Sequence, residues 1–86
     1  MDWHIYILRC SDGSYYVGST SRLQERIAEH KSGRGGKYTR EHLPVEFVYS
    51  ERMKSKSAAA QREKQLKGWS RAKKEQLIAG TPGNSD

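Results

Sequence analysis

The chain has a single cysteine, Cys10, and between positions 52 and 74 a single acidic residue, Glu63. A lone cysteine excludes an internal disulfide and any cysteine-rich zinc site, and it points to a reducing compartment. Cys10 itself reads as a small apolar residue within a strand. No segment approaches the run of about 18 apolar residues that a membrane span requires. The N-terminus lacks a basic region followed by an apolar stretch, so no secretory signal is read and a soluble, cytoplasmic protein is expected. Hydrophobic residues make up 34% of the chain, which is low for a globular protein. Disorder is nevertheless not the reading, because five Tyr, two Trp and one Phe lie inside patterned segments. With 86 residues, one domain over 1–80 is expected, followed by a frayed tail, 81–86. A core this thin gains from a partner, so a homodimer or a protein partner stays open.

What is abundant is positive charge. The net charge is +6 and the pI about 9.7. Residues 52–74 hold nine Lys or Arg. A basic surface concentrates polyanions and speeds their association, so nucleic acid is the first partner to consider and an anionic membrane surface the second. A solvated face that aids solubility is the plain alternative.

Trp3 to Cys10 is rich in aromatic and β-branched residues and reads as a strand. Ser14 to Gly18 reads as its return partner across a Ser11-Asp12-Gly13 turn. A two-residue turn pairs Cys10 with Tyr15 and puts Tyr6 and Tyr16 on opposite faces. A three-residue loop with Gly13 left-handed pairs Cys10 with Ser14 and puts both phenols on one face; this register is preferred because glycine suits its last position. Ser21 opens a helix through a capping box with Gln24, and Gly33 ends it. Arg22, Arg26 and His30, four apart, form one polar ridge beside an apolar stripe of Leu23 and Ile27. Residues 33–43 read as a glycine-rich loop. Pro44 to Glu51 reads as a third strand, at an edge because of its proline. Ser57 caps a second helix ended by Gly68, and Ser70 caps a third ended by Gly80. The expected fold is therefore α+β: a small three-stranded antiparallel sheet packed with about three helices.

Glu63 is the odd residue of the second helix. Ala59, Glu63 and Leu66 fall within about 60° of one another on the helical wheel, which places a carboxylate in the apolar stripe, where it needs a partner. That partner is a metal ion or, more plainly, a cation such as Lys67. Two phenols, a guanidinium, an imidazole and one acid are together the parts needed to break a phosphodiester. Each also has a plain structural role: buried tyrosines in packing, Arg26 paired with Glu29 or Glu25, His30 as a helix C-terminal residue.

The ordered set Tyr6, Tyr16, Arg26, His30 and Glu63 resembles the GIY-YIG nuclease superfamily. His4-Ile5-Tyr6 stands where Gly-Ile-Tyr is usual, and Tyr16-Val17-Gly18 stands for Tyr-Ile-Gly. The resemblance spans about residues 3–78 and is nearest to the small stand-alone bacterial branch. It is similar also to the nuclease half of structure-specific branched-DNA endonucleases, without their zinc-binding module. It implies a metal-dependent endonuclease acting on DNA, structure-specific cutting in repair or recombination, and RNA left open as a substrate. Glu63 is implied as the ligand of one Mg²⁺ or Mn²⁺, since hard cations take oxygen ligands and one carboxylate does not organise two ions. Arg26 is implied on the scissile phosphate, Tyr6 as the base with Tyr16 in support, His30 as a proton relay or phenol-orienting group, and Tyr38 on the phosphate or the base. The cations expected along the nucleic-acid backbone are Arg22, Arg34, Lys37, Arg40, Arg62 and Lys67. A non-catalytic nucleic-acid-binding module on the same scaffold is the alternative.

Overall fold

In the computed structural model, which describes residues 2–80, β1 (Trp3–Arg9) is the centre of a three-stranded antiparallel sheet of order β2-β1-β3. β2 (Tyr15–Thr20) and β3 (Glu46–Met53) are its edges. Four helices accompany the sheet: α1 (Leu23–Lys31), α2 (Lys37–Arg40), α3 (Lys56–Lys67) and α4 (Arg71–Gly80). The expected tail, 81–86, lies outside the described residues. No described helix is long and apolar enough to cross a membrane.

The hairpin takes the three-residue register. Cys10 N–H donates to the Ser14 carbonyl at 2.8 Å, and Gly13 carries a φ of +86°. Tyr6 then pairs with Gly18 and Leu8 with Tyr16. Because side chains alternate with period two, the sheet acquires two unlike faces. Ile5, Ile7 and Val17 point to the face covered by Ala59 and Leu66 of α3, with Trp69, Leu77 and Ile78 packed around them. Tyr6, Leu8 and Cys10 point to the opposite face, against Ile27 of α1 and Val45. A bulge in β3 opposite Ile7 and Leu8 sends Val48 and Tyr49 together to the first face and leaves Phe47 exposed at the rim of the second.

Several local expectations are corrected. The capping box at Ser21 does not form: the Thr20 hydroxyl accepts the Arg22 N–H at 3.0 Å, and α1 begins at Leu23 with Arg22 as a cap without a side-chain bond. The Thr20 hydroxyl, two residues upstream of the amide it accepts, closes a turn that its side chain favours, and the helix starts after it rather than at Ser21. α1 ends as expected at Gly33, with Gly33 N–H on the His30 carbonyl and Arg34 N–H on the Glu29 carbonyl. The segment 33–43 is not all loop, since α2 forms one helical turn within it. α3 is capped by Ser55, whose hydroxyl accepts the Ala58 N–H at 3.1 Å, and not by Ser57. Ser70 does cap α4, through the Lys73 N–H. The third strand runs to Met53, two residues beyond the expected end.

Candidate active site

The second face of the sheet buries polar groups. Tyr6 is 1% exposed, and His30 and Thr39 are wholly buried. Tyr6 Oη lies 2.8 Å from His30 Nε2, and His30 Nδ1 lies 2.8 Å from Thr39 Oγ1. The Thr39 hydroxyl donates in turn to the Gly36 carbonyl at 3.4 Å. Two glycines allow this closeness. A Cβ at Gly18 would stand 2.5 Å from Tyr6 Oη, and one at Gly35 would stand 2.3 Å from His30 Nδ1. Gly18 thus admits the phenol across the edge strand, and Gly35 lets the 33–36 segment lie flat on the imidazole.

Arg26 sits beside this chain. Its guanidinium donates to the Gly35 carbonyl at 2.7 Å and to Glu29 at 3.0 Å, and its charge acts on the Tyr6 phenol. Burial raises the Tyr6 pKa to about 12, with the neighbouring Tyr16 and Glu63 adding to the rise and Arg26 opposing it. Burial lowers the His30 pKa, and the Arg26 charge lowers it further. At neutral pH the pair is a neutral phenol bonded to a neutral imidazole.

Tyr16 and Tyr38 form the outer wall. Tyr16 is half-buried and packs against both the Tyr6 and His30 rings, with centroids 6.4 and 5.1 Å away. Tyr38 stacks on Tyr16 at 6.1 Å and on His42 at 4.3 Å, and its hydroxyl bonds the Ser14 hydroxyl at 2.5 Å. Tyr15, Tyr16, Val17, Tyr38, Lys67 and Lys74 line an open cleft of about 380 Å³. Tyr6 lies behind this wall. Its burial and its bond to His30 argue against the base role expected for it, because a base must meet the water it deprotonates. Tyr16 faces the cleft.

Glu63 comes from the other side of the sheet, around the β2 edge. Ser19 donates to its Oε1 at 2.6 Å, and Lys67 Nζ lies 2.8 Å from Oε2. The carboxylate is near enough for its charge to act on Tyr6. Among the described residues no group of three or more His, Cys, Asp or Glu could hold a metal ion. The donor set fits one hard cation in kind, the Glu63 carboxylate beside the Ser19 hydroxyl, both oxygen donors, with the remaining ligands from water and phosphate oxygens.

The other expected cations divide. Arg22 and Arg34 are exposed near Glu29, whose carboxyl is held low chiefly by its bond to Arg26. Lys37 and Arg40 are exposed on α2, and Lys67 lines the cleft. Arg62 is engaged within the protein. Both arms of its fork grip Glu51 at 2.8 and 2.9 Å, a third bond reaches Gln65, and the guanidinium lies over the Trp69 ring. With the pair at 23% and 22% side-chain exposure, Arg62 is an internal tie between α3 and β3. Sequence reasoning missed Ser19, Gly35, Thr39 and Lys74. Only Lys74 carried a signal, as part of the basic stretch.

The family model described as the GIY-YIG catalytic domain matches residues 2–76. The chain belongs to the GIY-YIG family. It is 51% identical over 82 residues to a UPF0213 protein of Natronomonas pharaonis, covering 95% of this chain and 96% of that one. A UPF0213 protein of Halobacterium salinarum is 50% identical over 75 residues, 87% of this chain and 97% of its own. Two solution NMR structures share the fold. A UPF0213 protein of Bacillus halodurans superposes with a TM-score of 0.62 at 43% identity, over 98% of this chain and 89% of that one. A protein of E. faecalis gives 0.67 at 34% identity, over 100% and 92%. In this GIY-YIG domain the first motif keeps its tyrosine in Tyr6 and has His4 for its glycine, and the second keeps Tyr16 and Gly18.

Proposed function

We propose that the protein is a divalent-metal-dependent endonuclease that hydrolyses DNA phosphodiester bonds in the cleft beside Tyr16. The observation that carries this reading is the gathering at one edge strand of two phenols, a guanidinium, an imidazole and one carboxylate from four separate elements, β1, β2, α1 and α3. Phosphate oxygens gain charge as the nucleophile adds, and preorganised cations at that point lower the barrier. Arg26, one-third exposed and fixed by Glu29 and the Gly35 carbonyl, presents its remaining N–H groups to the scissile phosphate. Tyr16, acting as its phenolate, meets the attacking water and takes its proton as the water oxygen bonds to phosphorus, and the phenol so formed later returns that proton to solvent. The bond to the leaving oxygen then breaks, and that oxygen takes a proton from solvent. Tyr6 and His30 act from behind, holding Arg26 and the Tyr16 ring in place. Glu63 is the residue that would hold one Mg²⁺ or Mn²⁺, which supplies Lewis-acid stabilisation of the phosphoryl oxygens when bound. Lys67 and Lys74 draw the flanking phosphates into the cleft, and the exposed Tyr38 ring offers a surface for sugar or base. Arg22, Arg34, Lys37 and Arg40 extend the basic track.

The test is a panel of linear, flapped and four-way-junction DNA, with RNA counterparts, in Mg²⁺, Mn²⁺ or chelator. Cleavage of at least one substrate with metal and none with chelator is expected. Tyr16→Phe should bind as the parent does and cut far more slowly. The alternative, a binding module without catalysis, has one point in its favour: both Glu63 oxygens are already engaged. It predicts steeply salt-dependent binding and no metal-dependent turnover in clean protein.

A further inference from the structure

Three hydrogen bonds run in series through the covered face, Tyr6 to His30, His30 to Thr39 and Thr39 to the Gly36 carbonyl, and the Arg26 charge acts on the Tyr6 end. Two polarities are conceivable, and counting donors decides between them. A guanidinium can only donate, so Arg26 cannot take the Tyr6 hydroxyl proton. If His30 carried its proton on Nε2, it would donate to Tyr6 Oη. The phenol proton, in a side chain 1% exposed, would then have no acceptor among the described residues. The Thr39 hydroxyl would turn to Nδ1 and leave Gly36. If His30 carries its proton on Nδ1, every step has one donor and one acceptor: Nδ1–H donates to Thr39 Oγ1, Thr39 donates to Gly36, and the bare Nε2 receives the Tyr6 O–H. A buried polar chain takes the arrangement that leaves no donor unpaired.

We propose that Thr39 is a positioning residue: by accepting the Nδ1–H of His30 it fixes the tautomer whose bare Nε2 takes the Tyr6 hydroxyl proton, which turns the Tyr6 oxygen towards Arg26 and holds the guanidinium in place. The functional consequence rests on the nuclease reading above; the tautomer does not. Neither Thr39 nor Gly35 touches the cleft. They act through the ring they enclose, and Gly35 is required because the backbone there lies directly on that ring.

Long-range ¹H–¹⁵N correlation on the full, ¹⁵N-labelled protein at pH 7.5 reads the His30 tautomer directly. The parent should show a protonated Nδ1 and a bare Nε2. Thr39→Ser, which keeps the hydroxyl, should keep that pattern, and Thr39→Val should lose it to the other tautomer or a mixture. A parent spectrum with the proton on Nε2, or an imidazolium, overturns the proposal even if the valine variant fails to fold. An unchanged His30 pattern in folded Thr39→Val overturns it as well. In cleavage assays Thr39→Val should lower kcat about tenfold or more with KM nearly unchanged, the effect of a slightly misplaced phosphate ligand, and Thr39→Ser should restore it. Equal kcat in the parent and folded Thr39→Val overturns the link to Arg26. If the parent cuts nothing while its spectrum shows the Nδ1–H form, the nuclease reading fails and the tautomer assignment stands.

Discussion

The two faces of the sheet are built on opposite principles. One buries Ile5, Ile7, Val17, Ala59 and Leu66, hydrocarbon against hydrocarbon. The other, beside an apolar patch of Leu8, Cys10, Ile27 and Val45, buries a phenol, an imidazole and a hydroxyl joined end to end. Apolar burial is non-directional and tolerant of small shifts. A buried polar chain gives little net stability, yet it fixes each member's orientation, because any turn of a group leaves a donor unpaired. The first face holds the molecule together and the second holds geometry. The rim of the first face repeats the contrast. Glu51 is saturated by the Arg62 fork and by Tyr49, while Glu63, among the described residues, is met by a serine hydroxyl and a half-exposed lysine.

Variants that damage one face and spare the other test this division. Leu66→Ala removes a wholly buried side chain from the apolar face and should cost about 2–5 kcal/mol in denaturant unfolding, with cleavage per folded molecule retained. The polar face should dominate the pH dependence. The Tyr6 pKa rises on folding from 10.0 to about 12. The neutral phenol's contribution is therefore complete below pH 10 and is lost as pH climbs towards 12, an effect of roughly 2–3 kcal/mol. His30 shifts the other way: its folded value lies below 6.5. Its contribution is complete above 6.5 and declines as pH falls through the folded value. Thermal unfolding followed from pH 4 to 12 should show both flanks, and Tyr6→Phe should abolish the alkaline one. Gly18→Ala places a methyl 2.5 Å from the Tyr6 oxygen. It should cost about 1–3 kcal/mol and, unlike Leu66→Ala, it should slow cleavage in the fraction that still folds. Glu51→Gln should be the mildest, about 1 kcal/mol in unfolding with little change in cutting, since Arg62 keeps one neutral acceptor.

Legibility in the sequence followed the same division. The sheet, the hairpin register and the shared face of Tyr6 and Tyr16 could be read, because period-two alternation and Gly13 are local signals. The inward position of Glu63 could be read from the stripe it shares with Ala59 and Leu66. The α3 cap could not: Ser55 and Ser57 are equally able, and the choice depends on where packing of Leu66 sets the start of the helix. Arg62 read as one more surface cation because its partner, Glu51, is eleven residues upstream on a strand whose register no local pattern specifies. Thr39 and Gly35 were silent for a similar reason. Their roles exist only once the 33–40 segment folds back over His30, and nothing in a Gly-Gly-Lys-Tyr-Thr string announces which ring it will cover. The burial of Tyr6, on which the proposal of Tyr16 as base rests, is a property of the assembled molecule.

The most direct test compares the two carboxylates of the α3 face in one experiment: cleavage of a four-way or flapped DNA by the parent, Glu63→Gln and Glu51→Gln in Mg²⁺, each shown to be folded. The parent and Glu51→Gln should cut at similar rates, and Glu63→Gln should be slower by about a hundredfold or more. Equal cutting by Glu63→Gln would contradict the assignment of the metal-holding acid and, with it, the site proposed at the β2 edge.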